Sequence, residues 1–186
     1  ASPIALVATA PSVTEFSRMS LLSGELAQGN SQEEKRAFAS NDRLAALCER
    51  HPPILYHKGE LTESPRGPLA EGVRKEIVSP SRKLVGVVVN AVDDRLLSAQ
   101  QKREKWTLDG MRPLGSLLEA AWEGERLVIL ASDHGHVLHR DGDNTQFPGA
   151  AERSRPAVGE ARKGEILLKG PRVFGSGGAK VVIAPW

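Results

Sequence analysis

The sequence predicts an α/β protein, a mostly parallel sheet with helices on both faces. Three observations carry that expectation. Leu84–Val92 is nearly continuous in apolar, mostly β-branched residues, as a strand covered on both faces requires. Leu127–Ala131 is a second apolar run, five residues long, of the same kind. Between them, Leu96–Glu123 carries Trp106, Leu108, Met111, Leu114, Leu117, Leu118 and Trp122 as a helical apolar face, with a break near Gly110 and Pro113. Strand, helical crossover and strand make a βαβ unit, whose connection is right-handed in parallel sheets.

The other elements follow in chain order. Ile4–Val7 is a short buried strand, closed by Pro11. A helix then opens near Thr14, with Phe16, Met19 and Leu22 or Ser20 at helical spacing and Gly24 as its stop. Gln28–Arg36 is polar and charged, which predicts a loop or irregular lid. Asn41–Arg50 has the pattern of a helix with Leu44, Leu47 and Cys48 inward, ended by Pro52-Pro53. Ile54–His57 is a short strand, Lys58–Pro68 a loop and Leu69–Ile77 a helix. Beyond His139 the chain is rich in charge and glycine until two closing strands, Glu165–Lys169 and Val181–Ile183. The glycines of Gly175–Gly178 lack a Walker lysine and a following helix, so they form a turn between strands, not a phosphate loop.

Composition bounds the function. With 40% hydrophobic and 26% charged residues, the 186-residue chain is expected to fold as one globular domain over residues 1–186, not to remain disordered. A net charge of +2 is too small to argue for nucleic acid by itself. No window reaches the ~18 apolar residues of a membrane span, and Ala1–Ala10 lacks the basic start of a signal peptide. The single Cys48 excludes an internal disulfide, suits a reducing cytosol, and on a helix is a buried thiol more often than a nucleophile. The chain lacks an initiator methionine and has apolar runs close to both ends, so a fragment truncated at both ends is expected.

The chemistry gathers at strand ends, where open α/β sheets bind their ligands. Leu127–Ala131 runs into Ser132-Asp133-His134-Gly135, which delivers a carboxylate and an imidazole competent for zinc or manganese. The same residues also suit a plain turn, with Asp133 as an N-cap and Gly135 at positive φ. Thr14 is either a helix N-cap or a nucleophile at a helix N-terminus; Ser12, Ser17 and Ser20 are competing hydroxyls, and helical phasing favours Thr14. Arg18, one turn on, is either a phosphate partner or an exposed helix charge. The strand Leu84–Val92 ends in Asp93-Asp94. In a parallel sheet these three ends lie on one side and converge. His51 and His57 are more simply solvated than metal-bound.

These residues resemble a known family. Pro11-Ser12-Val13-Thr14, with Arg18 and Leu21-Leu22-Ser23-Gly24, resembles the nucleophile segment of the alkaline phosphatase superfamily. Ser132-Asp133-His134-Gly135 is similar to its strand-end metal motif. Asn90–Asp94 and the crossover through Asp109-Gly110-Met111 resemble the PglZ branch, proteins of bacterial phage-exclusion (BREX) systems. The likeness runs from about Ile4 to His136 and weakens from Arg140 to Trp186. It implies an alkaline-phosphatase-like core with two metal sites. Carried over, Thr14 is the nucleophile, Asp133 and His134 are ligands of the first site, and Asp93, or less favourably Asp94, is a ligand of the second.

The departures count as well. No Asp precedes Thr14, no His follows closely on Asp93, and no His occurs after His139. The resemblance therefore implies at most one ion, zinc or manganese, in this chain; His136 and His139 are the candidate substitutes. The implied function is a metal-dependent phosphoesterase, of phosphodiesterase or nuclease kind, acting through Thr14 and Arg18 in a cytoplasmic phage-defence protein. Its partners are a phosphodiester substrate, nucleic acid among the candidates, and other defence proteins, with no membrane. The alternative is a catalytically degenerate docking module of a defence complex. A sulfatase or phosphomutase relative is disfavoured, because no Cys/Ser-x-Pro-x-Arg segment is present.

Overall fold

The computed structural model describes residues 9–64, 67–98, 107, 108, 111, 113–135, 154–157, 159–174 and 181–185. Helices and small sheets alternate, so the protein is of mixed α/β content. The chain forms two compact units. One combines Ala1–Glu34 with Ala131–Trp186, and the other, Lys35–Leu130, is inserted between those two stretches. The expected strand Ile4–Val7, the histidines His136 and His139, and the turn Gly175–Gly178 lie outside the described residues.

In the Lys35–Leu130 unit, β1 (Ile54–Tyr56) pairs in parallel with β2 (Val85–Val87), Leu55 facing Gly86 in register. The crossover between them contains α4 (Lys58–Leu61) and α5 (Glu71–Val78). Parallel pairing of strands so far apart in sequence requires such a crossover. α5 presents Val73 and Ile77, one turn apart, to Leu117, Ala120 and Ala121 of α7 (Leu114–Glu123). Leu61 and Leu69 complete this buried cluster. The two alanines let the helices approach closely, and Gly124 continues that approach: a Cβ there would lie 2.9 Å from the Ile77 carbonyl oxygen. Arg126 then closes the end of α5, its Nε donating to the Ile77 carbonyl at 2.7 Å and Nη2 to the Ser79 carbonyl at 2.6 Å. Orphan carbonyls at a helix C-terminus favour such a cation.

In the other unit, α1 (Thr14–Ser23) opens after the extended residue Val13 and stops at Gly24, whose positive φ of 78° lets its N–H reach the Ser20 carbonyl. Phe16 stacks on Phe174 with ring centroids 4.4 Å apart. Ala10 bridges Val173 in parallel, so the chain before α1 is tied to the loop after β4 (Glu165–Lys169). β5 (Val181–Pro185) lies between β4 and β3 (Arg155–Pro156), antiparallel to both. Arg155, 7% exposed, donates from Nε and Nη2 to the Glu165 carboxylate at 2.8 and 2.7 Å. That bond, with the Arg162 N–H as second donor, holds the Glu165 carboxyl down at about 2.

Several expected elements differ. Gln28–Arg36 is no loop: α2 (Ser31–Ser40) begins there, because the Asn30 side chain accepts the N–H groups of Gln32 and Glu33 while Glu33 accepts the Asn30 N–H. This capping box outweighs the polar composition. Lys58–Pro68 contains α4, begun by a Glu60 carboxylate that accepts the His57 N–H at 2.9 Å. The helix expected over Asn41–Arg50 shrinks to α3 (Asp42–Ala45), and Leu47 is exposed. The strand expected over Leu84–Val92 ends at Val87, and α6 (Ala91–Ser98) begins before the carboxylates. Asp93 and Asp94 thus occupy a helical first turn, where the dipole favours acids, not a strand end. Leu127–Ala131 forms no ladder among the described residues; Leu127 and Ile129 are 90% and 81% exposed. Apolar character supplies strand propensity, but a strand exists only where a neighbour takes its N–H and C=O groups.

Candidate functional site

The site is built where α1 begins. Val13, in N-cap position, offers no side-chain acceptor, so Thr14 is the first hydroxyl on the helix and does not itself cap it. Its Oγ1 lies 3.1 Å from Nε2 of His134, a residue 120 positions further along the chain. Two of the three competing hydroxyls are committed elsewhere. Ser17 shares a 2.8 Å hydrogen bond with Thr9, and Ser20 both donates to the Ala27 carbonyl and accepts the Ala27 N–H.

His134 is held from three sides. Its backbone N–H donates to Asp133 Oδ1 at 3.0 Å, and Ser132 Oγ donates to its carbonyl. Its Nδ1 lies 3.3 Å from the Gly135 carbonyl oxygen. A carbonyl can only accept, so a proton on Nδ1 satisfies that contact and leaves the Nε2 lone pair directed at Thr14. Asp133 Oδ2 stands 3.7 Å from the same Nε2. The imidazole is 6% exposed and the Asp133 side chain 23%, so the pair is sheltered without being sealed. Gly135 does not have a positive φ, and among the described residues a Cβ there would meet nothing within 4 Å.

A hydroxyl oxygen and a carboxylate oxygen thus both lie within 4 Å of one imidazole nitrogen, His134 Nε2. Ligands about 2.0–2.1 Å from a tetrahedral zinc lie about 3.3 Å from each other, and the observed 3.1 and 3.7 Å fall on either side of that spacing. An imidazole whose other nitrogen bonds a backbone carbonyl is also the arrangement in which histidine ligates metals. Among the described residues, no group of three or more His, Cys, Asp or Glu side chains gathers for a fuller ligand set.

The other candidates are placed differently. Asp93 belongs to the Lys35–Leu130 unit, whereas Thr14, Asp133 and His134 belong to the other. Its neighbour Asp94 is taken by Lys58 Nζ at 2.7 Å. Arg18 Nε donates to both carboxylate oxygens of Glu34, each at 3.0 Å, and Glu34 is wholly buried. Sequence reasoning missed Glu34 because Gln28–Arg36 looked like a polar loop. The signal was present, since Asn30-Ser31-Gln32-Glu33 is a capping box that places Glu34 on the first turn of a helix. No helix among the described residues is long and apolar enough to cross a membrane. No family model, no curated protein and no solved structure matches the chain.

Proposed function

We propose that this chain is the core of a metal-dependent phosphoesterase, akin to the PglZ branch of the alkaline phosphatase superfamily and serving phage defence in the cytoplasm. The observation that carries the reading is the meeting of Thr14 with His134 at 3.1 Å, beside Asp133, across 120 residues of sequence. A hydroxyl and a sheltered imidazole so far apart in the chain are brought together only by the fold. In this reading the parent protein has a mostly parallel sheet with helices on both faces, an alkaline-phosphatase-like core. Asp93 serves its second metal site. Phosphodiesters, nucleic acid among them, are its substrates, and other defence proteins its partners.

Thr14, Asp133 and His134 would hold one zinc or manganese ion, which supplies charge neutralisation at the phosphoryl oxygens and a more acidic hydroxyl. Thr14 Oγ1 is the nucleophile: it attacks phosphorus in line as its proton leaves to solvent, the P–O ester bond breaks and the departing oxygen takes a proton from water, and a second water then cleaves the Thr14–phosphorus bond and restores the hydroxyl. In the metal-free chain His134, fixed through Asp133, Ser132 and Gly135, keeps the Thr14 hydroxyl from rotating away, and the same Nε2 lone pair would turn to the ion when one is bound. Arg18 pairs with the substrate phosphate.

A second reading has its own support. With no third histidine or carboxylate at the site among the described residues, the same fold would serve as a docking module without turnover. Calorimetric titration with zinc and with manganese, on the chain and on an Asp133→Ala, His134→Ala variant, separates the two. Binding near one equivalent that vanishes in the variant is expected. Absence of binding to the intact chain refutes the metal reading and leaves the docking module.

A further inference from the structure

We propose that Glu34 is a positioning residue, which fixes the Arg18 guanidinium as the arm that receives a phosphoryl group at Thr14. This rests on the phosphoesterase reading of the same site. Thr14 and Arg18 are four residues apart on α1, hence on one face, and side chains on a helix lean toward its N-terminus. The Arg18 Cα–Cβ bond therefore leans toward the end of α1 that carries Thr14. Glu34, on the first turn of α2, has no solvent exposure, and both of its oxygens accept from Arg18 Nε at 3.0 Å. A buried carboxylate needs a cation, and a cation gripped this way loses its freedom to swing.

The grip is on the inner nitrogen. Among the described residues no acceptor is bonded to either Nη group of Arg18, and the side chain is 17% exposed. Two parallel N–H donors in one plane match two oxygens of a phosphate. Glu34 is itself anchored to the nucleophile helix. The loop before α2 returns to α1 where the Gly29 N–H donates to the Glu15 carbonyl at 3.1 Å, one residue after Thr14. A Cβ at Gly29 would stand 2.9 Å from Met19 Sδ, so that loop packs closely on α1. The asparagine cap then sets the first turn of α2 and with it the position of Glu34.

The alternative role for Glu34 is to neutralise Arg18, and the two roles predict opposite signs. Inorganic phosphate is titrated into the whole chain, with chelator present to keep metal out of the measurement, and followed by phosphorus NMR. If Glu34 positions the arm, Glu34→Gln weakens phosphate binding about tenfold, as does Arg18→Lys, which keeps the charge and loses the fork. The double variant then weakens it little further, because both changes remove one device. Should Glu34→Gln lower the melting temperature too far, Glu34→Asp keeps the charge, withdraws it by one methylene, and must weaken binding likewise. Phosphate binding that is unchanged or tighter in the Glu34 variants overturns the proposal. So does phosphate binding indifferent to Arg18→Lys, or absent from the wild type. Because metal is excluded, failure of zinc binding strikes the metal reading alone.

Discussion

Gly86→Ala tests how tightly the parallel pair is packed. Gly86 sits in the centre of β2 opposite Leu55, with no positive φ that would forbid a side chain. A Cβ built there lies 2.8 Å from Leu55 Cδ1 and 2.9 and 3.1 Å from Phe38 Cζ and Cε1. Leu55 and Phe38 are 3% and 8% exposed, so neither ring nor methyl can turn outward to solvent. Overpacking of this kind costs about 1–3 kcal/mol. The lower entropy of the unfolded alanine chain offsets about 0.4–1 kcal/mol of that. The net is a loss of about 1–2 kcal/mol, or a melting temperature lower by roughly 5–15 °C for a unit of about a hundred residues. Thermal and urea unfolding of the two proteins measure it. Phe38→Leu in the Gly86→Ala background should recover part of the loss. Equal or greater stability for Gly86→Ala, or strict additivity of the two changes, would refute the packing argument.

Other expectations follow from single contacts. Thr14→Val keeps shape but removes the hydroxyl, so the chain loses about 0.5–1.5 kcal/mol and the His134 ring nitrogen shifts move, while Thr14→Ser preserves both. Arg126→Ala strips two donors from the C-terminal carbonyls of α5 and should cost about 1–3 kcal/mol, seen as faster hydrogen exchange in its last turn. Glu165 has its folded pKa lowered to about 2 from 4.5, so the stability it lends is complete above about 4.5 and is lost as pH falls toward 2. Melting curves across that range should flatten in Glu165→Gln; an unchanged slope would assign the acid sensitivity elsewhere.

Some of this protein was determined by local sequence alone. Pro11, Thr14 and Gly24 bound α1 because a ring, a first-turn residue and a residue tolerant of positive φ act within a few positions. The short strands at Ile54–Tyr56, Glu165–Lys169 and Val181–Pro185 stand where apolar runs are flanked by turn residues. The asparagine cap of α2 was equally local, though its polar surroundings masked it. Tertiary structure decided the rest. Glu34 and Arg155 belong to residue types expected at the surface, yet each lies buried against a partner of opposite charge. Leu127–Leu130 has the character of a buried strand and lies exposed, since pairing depends on a second segment that no run of apolar residues can specify. The sequence named Thr14 and His134 separately by residue type and motif. Their 3.1 Å contact belongs to the fold, because only a chain that returns after 120 residues can set an imidazole against a hydroxyl.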